Sequence, residues 1–320
     1  MNLKEYMKTS TIRPQQGDTV EYMSLRSRML GNVVVNSQRN IPGVACNYEA
    51  DVTRLMEEFV KLRASCGYEL TFNTLMLKVL VECLKASPRL NAHFLYNHLS
   101  SSGKLIIKKH IDVAVAICLE NGETFQVKVM NLEEKDLKET AFLAEEAKRK
   151  LRTTDLKDMM FEVSRQRVVG LMSKGKLLSS LSQFGAACFG KGKIINLSES
   201  LKSDFLKLTG KKKFTEGLEL QELNEGSVCF TNWGPLYDKL GVNITYIPPL
   251  YPQVFMFGTG RVRDVKDVTE DESGNLKLTY KKVLPIAMIF DHKIGGANDL
   301  MPFVKKLDEI LENPEIIHTW

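Results

Sequence analysis

Apolar residues recur at helical spacing at several places along the chain. Leu55, Phe59 and Leu62 share one face of a segment whose opposite face is charged, and this pattern predicts an amphipathic helix. Asp51, a residue type favoured at the N-cap, precedes the segment. We therefore expect a helix that starts at Asp51 and runs to about Ala64.

Three further segments predict helices. Residues 72–87 are apolar on almost every side and stop before Pro88, as is typical of a buried helix. Residues 134–152 are strongly charged, so their helix is expected on the surface. A closing helix begins near Asn298 and carries a regular apolar face.

Short runs rich in β-branched and aromatic residues predict seven strands. In chain order they are residues 104–109, 113–119, 124–129, 227–231, 254–260, 276–283 and 284–290. The first three follow one another closely and predict a β-meander. Because helices and strands do not alternate regularly, we predict an α+β fold rather than a doubly wound α/β fold.

The composition is that of an ordinary globular protein. The 320 residues are 43% apolar and 26% charged, which argues against intrinsic disorder and against a coiled coil. This length favours one large domain and also allows two. The longest uncharged run, between Lys239 and Arg261, contains three prolines and does not predict a transmembrane helix. Since the N-terminus has no secretory signal pattern, we expect a cytoplasmic protein.

The six cysteines are scattered along the chain. They form no Cys-x-x-Cys pair and have no histidine at ligand spacing, so we expect neither a zinc site nor a disulfide framework. Cys83 and Cys118 lie within apolar runs and are predicted to be small buried hydrophobes.

Positive charge is concentrated in one stretch of the chain. The whole sequence has 44 basic and 39 acidic residues, a net charge of +5. Residues 170–213 alone contain nine lysines and two acidic residues, with apolar residues at helical spacing. We predict a basic amphipathic insertion at about 165–215, too poor in aromatic residues to indicate nucleic-acid binding. A cap on the core is the favoured role, and peripheral contact with a membrane surface or lipid is the alternative.

Sequence motifs exclude several common chemistries and leave one histidine in a suggestive position. The chain has no phosphate-binding loop, no Gly-x-Gly-x-x-Gly after a strand and no Gly-x-Ser-x-Gly elbow. His292 follows a predicted strand and enters a turn that contains Gly295 and Gly296. A histidine on such a loop can act as a general base near neutral pH, although position alone supports a structural histidine at least equally well.

A second segment, residues 231–234, places a hydroxyl and an amide at the end of a predicted strand. Groups of this kind can stabilise an oxyanion. An ordinary strand end followed by a turn explains the same residues equally well.

These two segments resemble the catalytic domain of the dihydrolipoamide acyltransferases of the 2-oxo acid dehydrogenase complexes, and more distantly chloramphenicol acetyltransferase. The family signature Asp-His-Arg-x-x-Asp-Gly aligns without a gap with residues 291–297, and Ser-Asn-Leu-Gly aligns with residues 231–234. Other family motifs follow in the same order, at Ile41-Pro42, residues 49–55, residues 70–73, Pro88-x-Leu90-Asn91 and residues 113–116. The resemblance spans nearly the whole chain apart from residues 170–213.

The resemblance implies a chloramphenicol acetyltransferase-like α+β fold, with a mixed sheet and flanking helices, in a homotrimer whose active sites lie between subunits. It implies that His292 is the general base and that Thr231 donates to the oxyanion. It implies no permanently bound cofactor and no metal, with a coenzyme A thioester as co-substrate. Residues expected to bind substrate or to support the catalytic pair are Asn232, Trp233, Gly234, Asp291, Lys293 and Asp299.

Three positions depart from the family pattern. Gly296 stands where the family has an aspartate that orders the site through an arginine, so this support is missing or comes from Asp291 or Asp299. Thr231 replaces serine, which keeps the hydroxyl and restricts its rotamers. Lys293 replaces arginine, which keeps the charge and loses the bidentate geometry.

The predicted function is that of a stand-alone acyltransferase. It would move an acyl group from a coenzyme A or acyl-carrier-protein thioester to a small thiol, hydroxyl or amine acceptor. The family motifs begin within about the first 50 residues, so we expect one catalytic domain over residues 1–320, without lipoyl or subunit-binding domains. Two alternatives stay open: a catalytically degenerate trimeric scaffold, which Gly296 favours, and an antibiotic-modifying acetyltransferase.

Overall fold

The computed structural model describes residues 14–119, 123–155, 159, 217–218, 222, 226–234, 245–270 and 274–320. These residues include both segments of the predicted site. The basic insertion predicted at about 165–215 lies outside the described residues.

The chain divides into two compact units. One comprises residues 1–31 and 156–213, and the other comprises residues 32–155 and 214–320. The described part of the first unit consists almost entirely of residues 14–31. The second unit contains all the strands described below and both segments of the predicted site.

Nine strands are formed by the described residues. They are β1 (Gly43–Asp51), β2 (Ala92–Asn97), β3 (Ser102–Ile107), β4 (Val113–Cys118), β5 (Thr124–Val129), β6 (Val228–Asn232), β7 (Phe255–Thr259), β8 (Arg263–Glu270) and β9 (Leu276–Asp291). The larger sheet has the order β1-β9-β7-β6-β4-β5, with β8 also paired to β9. Because β6 is parallel to both β4 and β7 while the other pairs are antiparallel, the sheet is mixed. β2 and β3 form a separate two-stranded sheet.

Five α-helices accompany the strands in the described ranges. They are α1 (Leu25–Asn40), α2 (Thr53–Ser65), α3 (Phe72–Ala86), α4 (Leu137–Thr153) and α5 (Ala297–Glu312), with short 3-10 helices at Pro88–Leu90, Leu132–Glu134 and Pro314–Thr319. α3 is buried on nearly every side and packs against α5. Phe303 of α5 contacts the rings of Phe255 and Phe257 in β7, with centroid distances of 5.0 and 5.7 Å. The hydrophobic core therefore lies between the sheet and these two helices.

The four helices predicted from apolar periodicity are confirmed as α2 to α5. The N-cap predicted for α2 is wrong, because Val52 is the N-cap and Asp51 is the last residue of β1. Pairing of Asp51 with Val283 keeps it in the strand. Its carboxylate still accepts a hydrogen bond from the Thr53 N–H at 3.0 Å. Asp51 therefore satisfies a backbone donor at the start of α2 although it is not the N-cap residue.

The predicted β-meander is wrong. β3 pairs with β2 and not with β4, and β2 itself was not predicted. The side-chain amide of Asn91 donates to the carbonyl oxygens of Lys108 and His110, at 3.2 and 3.1 Å. These bonds hold the segment between β3 and β4 outside either strand. β3 and β4 therefore belong to different sheets.

The two strands predicted at 276–283 and 284–290 are one continuous strand, β9. Pro285 lies inside it, where the missing N–H of proline usually ends a strand. Its carbonyl oxygen accepts from the Gly260 N–H at 2.8 Å, just beyond β7. β1 and β8 were not predicted, because their residues alternate in exposure and form no apolar run; pairing with β9 holds them in place.

The two cysteines predicted to be buried behave differently. Cys83 is buried in α3, whereas Cys118 at the end of β4 is exposed, so the prediction for Cys118 is wrong. Cys118 is the last residue of β4 and pairs with the first residue of β5, and an apolar run does not show which of its positions lies at the exposed end of a hairpin. Within the described ranges, no helix has the length and apolar character needed to cross a membrane.

Candidate active site

His292 lies in the turn that joins β9 to α5. Its backbone N–H donates to the Pro42 carbonyl at 3.0 Å, and its ring makes an edge contact with Phe290, with centroids 6.2 Å apart. Ring atom Nδ1 lies 2.9 Å from the Gly295 carbonyl oxygen. A carbonyl oxygen only accepts, so in the neutral ring Nδ1 carries the proton and Nε2 keeps its lone pair. The exposed imidazole is thus in the tautomer of a general base.

Asp291 and Lys293 form a largely buried ion pair on either side of His292. The Asp291 carboxylate accepts from the Lys293 ammonium at 2.8 Å and from the Lys293 backbone N–H at 3.0 Å. The same ammonium donates to the Asn40 carbonyl and lies 5.5 and 5.7 Å from the ring centroids of Phe94 and Tyr96. The lysine that replaces the family arginine therefore still ties the histidine turn to β2 and to the end of α1.

Asp299, in the first turn of α5, is held by an arginine that the sequence interpretation did not single out. Arg89 Nε donates to Asp299 Oδ1 at 2.6 Å, and Arg89 Nη2 donates to the Ile294 carbonyl at 2.6 Å. The other carboxylate oxygen accepts from the Gly296 N–H at 3.3 Å. Arg89 occupies the variable position of the motif Pro88-x-Leu90-Asn91. That motif is the sequence feature that could have pointed to Arg89.

Two adjacent glycines in the turn have different steric surroundings. A Cβ atom built on Gly295 would lie 1.7 Å from Asp299 Oδ2, so a side chain there would displace the carboxylate. A Cβ built on Gly296 meets no atom of the described structure within 4 Å. A side chain at position 295 therefore conflicts with the position of the Asp299 carboxylate, whereas one at position 296 meets no steric obstacle in the described structure.

Thr231 lies near the end of β6 and is 7% exposed. The segment that follows it is a hydrogen-bonded turn, in which Asn232 Oδ1 accepts from the Gly234 N–H at 2.8 Å. The Trp233 N–H donates to the Thr259 carbonyl at 2.9 Å, and the indole is 41% exposed. The side-chain oxygen of Asn232 thus accepts a hydrogen bond within the turn, while Trp233 presents an exposed aromatic side chain.

The register of the sheet separates Thr231 from His292. Thr231 is level with Gly258 in β7, which is level with Ala287 in β9. His292 comes five residues after Ala287, a distance of about 17 Å along the strand at about 3.4 Å per residue. Crossing from β6 over β7 to β9 adds two strand spacings of about 4.8 Å at right angles to that distance. The two residues therefore lie about 20 Å apart. One chain therefore does not bring this pair together.

Cys229, two residues before Thr231, is not a candidate nucleophile. Burial raises the pKa of its thiol to about 12, against a smaller opposing effect of the hydrogen bond from Gln126. The Gln126 amide nitrogen lies 3.1 Å from the sulfur. The thiolate required for attack is therefore essentially absent near neutral pH. In the described ranges, no group of three histidine, cysteine or acidic residues is arranged to hold a metal ion.

Comparison with known proteins identifies similar sequences. Residues 14–175 and 198–319 match the family described as 2-oxoacid dehydrogenases acyltransferase (catalytic domain). The interruption at 176–197 lies within the stretch predicted to be an insertion. A Staphylococcus aureus dihydrolipoyllysine-residue acetyltransferase component of the pyruvate dehydrogenase complex is 29% identical over 108 residues. That match covers 33% of this chain and 24% of the relative, so the chain spans about a quarter of the relative's length.

Solved structures share the fold. The cubic core of a pyruvate dehydrogenase multienzyme complex superposes with a TM-score of 0.59 at 18% identity, covering 96% of this chain and 98% of the other. The dihydrolipoamide acetyltransferase of Azotobacter vinelandii gives the same TM-score, identity and coverage. The predicted mixed sheet with flanking helices is confirmed by this likeness.

Proposed function

The chain belongs to the family of 2-oxoacid dehydrogenases acyltransferase catalytic domains, and from this premise we propose that it transfers an acyl group from a thioester to a small acceptor. The donor is a coenzyme A or acyl-carrier-protein thioester, and the acceptor carries a thiol, hydroxyl or amine. The single observation that carries the proposal is the hydrogen bond between His292 Nδ1 and the Gly295 carbonyl. It leaves Nε2 able to accept a proton from the acceptor.

The proposed reaction needs one base and one oxyanion donor. His292 Nε2 removes the acceptor proton as the acceptor attacks the thioester carbonyl, and a tetrahedral oxyanion forms. The Thr231 hydroxyl donates to that oxyanion. When the carbon–sulfur bond breaks, the imidazolium returns its proton to the departing thiolate, so the free thiol is released.

This reaction requires two copies of the chain. His292 and Thr231 of one chain are about 20 Å apart by the sheet register, whereas an oxyanion donor and a base must both reach one substrate. We propose that His292 of one subunit faces Thr231 of the next in a homotrimer, the assembly that the family resemblance implies. Each closed ring then contains three equivalent sites.

The proposal is tested by measuring, by chromatography, the free coenzyme A and the acylated acceptor formed from a ladder of acyl-CoA thioesters, from acetyl to long-chain. The acceptors would be dihydrolipoamide, a hydroxylated drug such as chloramphenicol and a primary amine. We expect turnover by the parent protein and a loss of about 10²- to 10⁴-fold in His292→Ala, since a general base contributes that much. His318→Ala is the matched control, because His318 binds Glu58 at the C-terminal end of the chain. Parental rates in His292→Ala would contradict the proposal.

A catalytically inactive trimeric scaffold is the second candidate. Gly296 favours it, because the family aspartate is absent at this position. A folded trimer that neither binds a thioester in calorimetry nor releases thiol would favour the scaffold. Saturable binding with a chain-length preference would favour the enzyme and identify its donor.

A further inference from the structure

We propose that Arg89, held by the Asp299 carboxylate, is a positioning residue for His292. The inference rests on the proposed function, because it assigns His292 the role of base. It concerns how the tautomer of that base is fixed. Arg89 itself does not touch the reacting atoms.

The first step of the argument is the short path from Arg89 to the imidazole. The Gly295 carbonyl fixes the proton on His292 Nδ1. The neighbouring Ile294 carbonyl accepts from Arg89 Nη2 at 2.6 Å. Ile294 is buried, with 6% exposure, and its N–H donates to the Asp291 carbonyl at 3.1 Å. Arg89 therefore holds the peptide group that precedes the one on which the histidine tautomer depends.

The second step is the fixation of Arg89 itself. Its Nε donates to Asp299 Oδ1, and the second carboxylate oxygen accepts from the Gly296 N–H. The carbonyl of Asp299 also accepts from the Ser87 hydroxyl at 2.7 Å. The carboxylate thus binds both the arginine and the backbone of the turn.

The third step explains the two glycines. The Asp299 carboxylate lies where a side chain at position 295 would be, so Gly295 leaves space for this arrangement. At Gly296 a Cβ has free space, so sterics do not account for loss of the family aspartate there. Asp299 supplies its carboxylate to Arg89 from the first turn of α5, so this contact does not use a side chain at position 296.

The exposure of the pair favours positioning over stability as its role. The Arg89 side chain is 49% exposed and that of Asp299 is 20% exposed, and exposed ion pairs add little to stability. An arginine presents its donors in a rigid fork, which serves a carboxylate and a carbonyl together. A lysine at position 89 has one ammonium on a flexible stem and does not hold the same two acceptors in fixed geometry.

The test reads the tautomer directly and does not require activity. ¹⁵N spectra of the His292 ring would be recorded at about pH 8.5, where an imidazole is ordinarily neutral. We expect the Nδ1–H tautomer in the parent, and a mixture with the Nε2–H tautomer in both Arg89→Met and Asp299→Asn. The matched control is Arg54→Met, because Arg54 also binds one carboxylate and one carbonyl, those of Glu315 and Glu312, on the surface.

Kinetics give the second readout. In Arg89→Met we expect kcat to fall about tenfold to a hundredfold with little change in KM, because the base is misplaced while the donor still binds. Arg89→Lys should recover only part of this loss, and Arg54→Met should retain the parental rate. A folded Arg89→Met or Asp299→Asn protein that keeps the parental tautomer would overturn the inference. If the parent shows no turnover but the variants show the expected spectral changes, the proposed reaction is contradicted and the positioning role of Arg89 is not.

Discussion

Active-site complementation between subunits follows from the separation of Thr231 and His292. Two inactive variants, His292→Ala and Thr231→Val, would be coexpressed with different affinity tags. In a mixed trimer, a Thr231→Val subunit still supplies His292, and a His292→Ala neighbour still supplies Thr231. A functional site then forms wherever these two subunits meet in that order.

The expected recovery follows from the geometry of the ring. With equal expression and random assembly, each site has a chance of one half for each intact residue, so about a quarter of the sites are functional. Each variant alone should lose about 10²-fold or more, since it lacks either the base or the oxyanion donor. Recovery from that background to about a quarter of parental turnover is easily resolved.

The assay is release of free coenzyme A from the donor identified with the parent protein, measured on all the trimers of the mixture, while capture through both tags shows that mixed trimers form. The control mixes parent chains with the double variant His292→Ala/Thr231→Val. A site shared between subunits predicts about a quarter of parental activity in this mixture, whereas a site within one chain predicts about a half.

Failure of the two single variants to complement would refute the reasoning. It would mean that each chain carries both groups of one site, and that the separation of about 20 Å from the sheet register does not hold in the working enzyme. Activity of about one half in the control mixture would lead independently to the same conclusion.

Three further predictions concern the surroundings of the site and the stability of the unit that carries it. Asp291→Asn should lower the free energy of unfolding by about 3 kcal/mol in urea, because it leaves the Lys293 ammonium largely buried without its carboxylate. Burial, followed by the hydrogen bond to Asp308, raises the pKa of Tyr48 to about 12. The resulting stabilisation is present below about pH 10 and is lost as the pH rises towards about 12, so Tyr48→Phe should lose less stability than the parent between about pH 10 and 12. Gly295→Ala should lower both stability, by about 1–3 kcal/mol, and turnover, because its methyl group displaces a carboxylate.

Each of these predictions has a control in the same chain. Asp264→Asn removes an exposed pair with Lys282 of the same 2.8 Å length and should cost under about 1 kcal/mol; equal costs for Asp291→Asn and Asp264→Asn would contradict the burial argument. If the parent and Tyr48→Phe lose folding stability in parallel as the pH rises, Tyr48 is not the cause of that loss. Gly296→Ser should match or slightly exceed parental stability, since serine suits an N-cap, and a loss as large as that of Gly295→Ala would contradict the steric difference between the two positions.

The sequence interpretation succeeded where the signal is local. Periodic apolar residues predicted α2 to α5, and motif order led to an acyltransferase family that the family match confirms. It failed where pairing partners lie far apart in the chain. β3 was predicted to belong to a meander with β4 and β5, whereas it pairs with β2, which was not predicted. β8, with its largely exposed residues, gave no apolar run to recognise.

The candidate site shows the same division. The sequence pointed to His292, Thr231 and a supporting role for Asp291 or Asp299, and these roles stay predictions. It did not point to Arg89, because an arginine in a short motif has no local feature that reveals a partner 210 positions away. The single-domain organisation, the role of the basic insertion and the absence of lipoyl domains also stay predictions.

What the sequence determined by itself is the set of local elements and the chemical groups placed at their ends, because helical periodicity, caps and short motifs act between neighbouring residues. What only the tertiary structure decided is which groups meet. The register of β6, β7 and β9 places Thr231 and His292 apart, and the packing of α5 brings Asp299 to Arg89. Strand register and packing join residues that are distant in the chain, so they depend on the whole core rather than on any one segment.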